Sequence, residues 1–140
     1  MFHWFELRAF CHATEDEEKV VAALRAVLPN AEAERETLEG HFGNPLVALT
    51  VRTEAAADIK EAWRRIVDAL GRDDVLAGGL EARIDDDAVY HLRIDKQRAY
   101  RGAIEKAGSG DAIDLRAKVE AYPKKPEVAV RVVRAFVEAL

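Results

Sequence analysis

Asp111-Ala112-Ile113-Asp114-Leu115-Arg116-Ala117-Lys118-Val119-Glu120-Ala121 is the stretch whose reading decides the fold. Ile113, Leu115, Ala117, Val119 and Ala121 alternate with Asp114, Arg116, Lys118 and Glu120. A period of two sends the first set to one side of a strand and the second set to the other. One side is apolar and the other is charged, as in an antiparallel sheet covered by helices on a single face.

The same alternation recurs outward from that strand. Along residues 3–12, Phe5, Leu7, Ala9 and Cys11 oppose Trp4, Glu6, Arg8 and Phe10. Leu46 to Arg52 repeats it with Val47, Leu49 and Val51, and a weaker strand covers about 31–38. Leu80, Ala82 and Ile84, the turn Asp85-Asp86-Asp87, and then Tyr90, Leu92 and Ile94 predict a hairpin. Helical spacing fills the gaps. Thr14 and Glu17 form a capping-box pattern ahead of Val20, Val21, Leu24, Val27 and Leu28. A second helix, about 54–70, carries Ile59, Trp63, Ile66, Val67 and Leu70 and closes at Gly71. Asp95 caps a short helix running to about Lys106, and a last helix after Pro126 carries Val128, Val132, Val133, Phe136 and Val137. These elements predict an α+β fold: an antiparallel sheet of about six strands with amphipathic helices on one face, in a single domain over 1–140.

Composition narrows the function classes. With 49% hydrophobic and 34% charged residues the chain is globular. No apolar run approaches the roughly 20 residues that span a bilayer, so no membrane association is expected. The N-terminus shows no secretory signal pattern, and the lone Cys11 suits a reducing cytoplasm. A net charge of −5 argues against indiscriminate polyanion binding. That charge is uneven: residues 1–90 hold 10 basic and 19 acidic residues, whereas 91–140 hold 11 basic and 7 acidic.

Alternation gathers chemistry on the uncovered sheet face. Arg8, Arg52, Arg83, Arg93, Arg116 and Lys118 are expected there among Glu6, Glu81 and Glu120, with the rings of Trp4 and Phe10. Guanidinium groups pair with phosphates and rings stack on bases, which is what a reader of looped or single-stranded RNA requires. The same surface equally suits a solvated face, or a dimer patch that buries Trp4 and Phe10. A second basic strip runs through Lys96, Arg98 and Arg101, and Lys124-Lys125 stand at the start of the last helix, where an anion would relieve their repulsion with its dipole. The turn His41-Phe42-Gly43-Asn44-Pro45 puts an imidazole and a ring, Phe42, at a loop tip.

Catalysis finds little support. His3, His12, His41 and His91 are dispersed without zinc-site spacing, and Cys11 and His12 face opposite ways on one strand. No nucleophile elbow or phosphate loop is present, and Asp85-Asp86-Asp87 reads as a solvated turn. A non-enzyme without metal or cofactor is expected.

Phe5-Glu6-Leu7-Arg8 with His12-Ala13-Thr14-Glu15, Glu39-Gly40-His41-Phe42-Gly43-Asn44-Pro45, Leu92-Arg93-Ile94-Asp95-Lys96-Gln97 and Lys118-Val119-Glu120-Ala121-Tyr122-Pro123 together resemble a family of small archaeal proteins known as RNA-binding proteins or predicted exosome subunits. The resemblance covers nearly the whole chain. It implies an α+β fold like that of the ribosomal protein that binds 5S rRNA, a homodimer, and RNA as partner, with Arg8, His41, Asn44, Arg93, Lys96 and Gln97 as candidate contacts. Two functions follow as alternatives: a non-catalytic RNA-binding protein, accessory to an RNA-processing complex or to the ribosome, or a dimeric interaction scaffold that binds no RNA.

Overall fold

The computed structural model describes every residue except 40–42, 44, 77–79 and 109–110. His41, Phe42 and Asn44, expected at a loop tip, therefore lie outside the described residues.

The fold is α+β. The chain runs β1 (Phe2–His12), α1 (Glu17–Arg25), β2 (Ala33–Glu39), β3 (Pro45–Thr53), α2 (Ala56–Leu70), α3 (Arg72–Leu76), α4 (Leu80–Arg83), β4 (Val89–Asp95), α5 (Lys96–Tyr100), β5 (Ala112–Val119) and α6 (Pro126–Glu138). The strands form one antiparallel five-stranded sheet in the order β2-β3-β1-β5-β4. β1, the first strand in sequence, lies at its centre, so the fold closes only when β3 and β5 have found it.

Register decides which side chains share a surface. Leu7 stands beside Val51 and Leu115, and Leu115 beside Leu92, so the alternating apolar residues line up under the helices. Phe5, Leu7, Val20, Leu24, Val51, Ile59, Ile66, Leu115 and Val133 are buried in one continuous apolar core between sheet and helices. Trp63 lies at its centre, with ring centroids 5.2 Å from Phe2, 5.8 Å from Phe5 and 5.1 Å from Tyr90. The Phe5 and Tyr90 rings meet it edge to face and the Phe2 ring is tilted against it, packing that adds to what area burial alone contributes. The Tyr90 hydroxyl donates to the Val75 carbonyl at 3.1 Å, and burial pushes its pKa up to about 12.

Three local readings change. Leu80 to Arg83 is helical, and of the predicted strand only the bridge between Ile84 and Tyr90 remains. Leu80 and Ile84 stand four apart, so one helical turn buries both as well as a strand would. The cap of α1 is Asp16, whose carboxylate accepts from the Glu18 amide at 3.0 Å, rather than Thr14. Asp95 caps α5 as expected, accepting from the Arg98 amide at 2.9 Å, but that helix ends at Tyr100, not near Lys106. The segment beyond it returns along the outside of β4: Asp95 donates to the Glu105 carbonyl at 2.8 Å, and Ala107 to that of Arg93 at 3.0 Å. This covers part of an edge that would otherwise present unpaired backbone.

Candidate functional site

The helices leave the other sheet face open, and register assigns its side chains to rungs. One rung holds His91, Arg116, Glu6 and Arg52, in the order β4, β5, β1, β3. The next holds Arg93, Asp114, Arg8 and Thr50, continuing to Glu34 on β2. Phe10 stands beside Ala48 and, beyond it, Glu36. At the opposite end Trp4 pairs with Lys118.

Trp4, at that end of the face, is the ring that two guanidinium groups approach. The Arg52 guanidinium lies 4.7 Å from its ring centroid and that of Arg116 lies 5.5 Å away, one reaching in from each neighbouring strand. The two arginines are held differently. Arg116 bonds Glu6, a side chain 16% exposed, at 3.4 Å, whereas Arg52 meets Glu54, which is 73% exposed, at 3.3 Å. Exposed pairs of the second kind contribute little. Arg8 lies 5.2 Å over Phe10 and has no carboxylate partner among the described residues. Arg93 contacts Asp114 at 3.6 Å.

Other cations gather at the Trp4 end. Lys118 donates to the Asp87 carbonyl, and Lys124 approaches the Asp87 carboxylate at 3.5 Å. Lys125, next to it, is exposed. Asp87 sits in a turn closed by Asp85, whose carboxylate accepts from the Asp87 and Val89 amides and meets His91 at 2.8 Å. Burial opposes that carboxylate's charge, but the bonds from His91 and the two amides outweigh it and hold the Asp85 pKa below its ordinary value.

The second basic strip divides. Gln97, Arg98 and Arg101 are exposed on or just after α5, and Arg98 meets Glu105 at 3.2 Å. Lys96, by contrast, is wholly buried and cannot reach a phosphate outside. Its ammonium donates to the Phe10 carbonyl at 2.7 Å and to Glu15 at 2.9 Å, and contacts Asp111. Tyr100 donates to the other Glu15 oxygen at 2.5 Å. Burial works against the Glu15 charge, yet the bonds from Tyr100, the His12 amide and Lys96 together bring its pKa down to about 2. The Tyr100 hydroxyl moves the other way, raised by burial and by its bond to Glu15. This cluster ties α5 to the end of β1 and to the start of β5. His12, Glu15 and Asp111 do bring ligand atoms within 4.8 Å of one another, but Lys96 already supplies the positive charge between the two carboxylates.

Arg83, expected on the open face, sits instead at the end of α4. It lines an open groove of about 310 Å³ beside β4, together with Ala82, His91, Leu92, Arg93, Lys106 and Ala107. Among the described residues, no acidic side chain lines that groove. Period-two reading misses it, because Arg83 and Lys106 come from segments flanking the strand. Glu81 leaves the face with the same helix, and Glu120 lies just past β5, 3.4 Å from the N-terminal ammonium.

Residues 4–119 match the family described as RNA binding. A Pyrococcus abyssi protein named as an RNA-binding protein is 33% identical over 144 residues, covering 97% of this chain and 94% of that one. Among solved structures, a DUF54 protein of Methanothermobacter thermautotrophicus is 42% identical, covers 98% of both chains and superposes with a TM-score of 0.83. A DUF54-family protein of Archaeoglobus fulgidus is 34% identical, covers 97% of this chain and 99% of its own, and reaches 0.87. Among the described residues, no helix is long and apolar enough to cross a membrane.

Proposed function

The chain belongs to the RNA-binding family, and on that premise we propose that it binds RNA, without catalysing a change in it, through the open face of its sheet. The observation that carries this reading is Trp4, set on an uncovered face between two guanidinium groups. An exposed cation–ring contact is worth about 0.5–1 kcal/mol. A nucleobase on an aromatic ring is worth about 1–3 kcal/mol. A base therefore displaces an arginine from the ring at a profit, and the displaced guanidinium becomes available to a phosphate. Arg8, over Phe10, and Arg93 extend the contact along the face. Lys118, Lys124 and Lys125 extend it beyond Trp4, and Gln97, Arg98 and Arg101 beyond Phe10. The test is affinity for an RNA oligonucleotide as salt is raised: log K falls as log salt rises. Affinity unchanged across a fourfold range of salt would remove the phosphate contacts from the proposal.

A homodimer formed through the same face is the second reading. It is favoured by Trp4 and Phe10, half-buried rings on a surface that no helix covers among the described residues. Light scattering should then show a dimer that Trp4→Ala weakens and RNA competes apart; a monomer at all concentrations excludes it. As the resemblance implies, the partner assembly would be one that handles RNA, a processing complex or the ribosome. Co-sedimentation with such particles, lost on ribonuclease treatment, is the check.

A further inference from the structure

Among the described residues that line the groove beside β4 none is acidic, although His91 meets Asp85 at 2.8 Å and Arg93 meets Asp114 at 3.6 Å from outside it. His91 and Arg93 belong to both surfaces: they project from β4 on the open face and they line the groove. Only β5 separates β4 from β1, and His91 and Arg93 stand one and two rungs along from the Trp4–Lys118 rung, so groove and ring lie two strands apart and offset diagonally along the sheet. Arg83 and Lys106, from α4 and from the segment returning along β4, complete a cationic rim around a concavity of about 310 Å³.

The open face itself is nearly balanced in charge. Arg116 is matched by Glu6, Arg93 by Asp114 and Arg52 by Glu54. On β2 the same face turns acidic, with Glu34 and Glu36 exposed beyond Thr50 and Ala48. A duplex presents one negative charge per about 1.7 Å of its axis and hides its base faces in the stack, so it needs a broad positive surface and has nothing to offer a ring. A single strand needs few phosphate contacts, because its bases stack on rings.

We infer that the ligand is an unpaired RNA segment, with a backbone phosphate in the groove of Arg83, His91, Arg93 and Lys106 and a nearby base stacked on Trp4 in place of Arg52. This rests on the RNA-binding reading above and specifies the class of RNA. The strand crosses β4, β5 and β1 and stops short of β2, where Glu34 and Glu36 repel it. The span is a few nucleotides.

Tryptophan fluorescence reports on the stacking directly, since Trp63 is buried at 0% exposure and Trp4 is the other tryptophan of the chain. Oligouridine of eight nucleotides and an RNA duplex of eight base pairs are titrated into the intact protein. The single strand should quench the emission and bind at least tenfold tighter than the duplex. Trp4→Phe should abolish the quench. Arg83→Ala combined with Lys106→Ala, two changes away from the core, should weaken the single strand about tenfold. The same pair should flatten its salt slope by roughly 1.4, at about 0.7 per lost contact to a single strand. Equal binding of strand and duplex, without quenching and with the double variant unchanged, overturns the inference while leaving RNA binding intact. Binding of neither RNA overturns both.

Discussion

The two faces of the sheet take the same kinds of residue and give them opposite work. Trp63, under the helices, is wholly buried among Phe2, Phe5, Tyr90 and Phe136. Its indole Nε1 has no hydrogen-bond partner there among the described residues. Trp4, on the other face, keeps accessible surface and is dressed by two guanidinium groups. Cations follow the same division. Lys96 is buried and held by a carbonyl and two carboxylates, whereas Arg8 and Arg52 rest on rings at the surface. Residue type therefore says little about role here. Which side of the central strand a side chain occupies says most of it, and alternation sets that side.

The largest test of this contrast is to truncate both tryptophans. Trp63→Ala opens a cavity in the middle of the core and should cost about 3–5 kcal/mol in urea unfolding. Trp4→Ala removes surface contacts and should cost less than about 1 kcal/mol, while weakening RNA binding by tenfold or more. Equal stability losses would mean that the open face is not a free surface but part of the folded core.

Lys96 gives the next largest effect. Lys96→Ala leaves Glu15 and Asp111 facing each other with their shared cation gone, a loss of about 2 kcal/mol, since both carboxylates keep some contact with water. Arg8→Ala should change stability by less than about 0.5 kcal/mol and lower RNA affinity instead. A Lys96→Ala protein of normal stability but reduced RNA affinity would restore Lys96 to the binding surface and contradict its burial.

Much of the architecture was readable before any coordinates. Period-two alternation in residues 3–12 and 111–121 assigns each side chain to a face, and register bears this out along β1 and along β5 as far as Val119. Alternation fails where two periods agree. Leu80, Ala82 and Ile84 fit a strand and also one turn of helix, and packing chose the helix. It also fails for contacts made at long range. Nothing near Lys96 in sequence announces that Glu15, 81 residues away, will bury its charge. A lysine beside Arg98 and Arg101 reads as surface by default. The candidate site was thus legible as a face with rings and arginines. Which arginine meets which ring, and the contribution of Arg83 and Lys106 from beside the strand, required strand order and register.

The smallest effect sharpens the contrast from the acid side. Glu15 is depressed in the folded protein, to about 2 from 4.5, so the folded state holds its charged form more firmly than the unfolded chain does. A depressed carboxylate contributes stability in full above its unfolded pKa and loses it as pH falls through the folded value. The Lys96 cluster should therefore begin to weaken below about pH 5 and be spent near pH 2. Tyr100→Phe removes the hydrogen bond that does most to lower the Glu15 pKa, at a neutral-pH cost of about 1 kcal/mol. It should also narrow the pH window over which the cluster loses its stability, because the folded and unfolded values of Glu15 move closer together. Circular dichroism of urea unfolding at steps from pH 6 to pH 2 measures this as a shallower fall for the variant than for the parent. Parallel curves would mean that Tyr100 does not set the Glu15 charge, and that the His12 amide and Lys96 hold it without the hydroxyl.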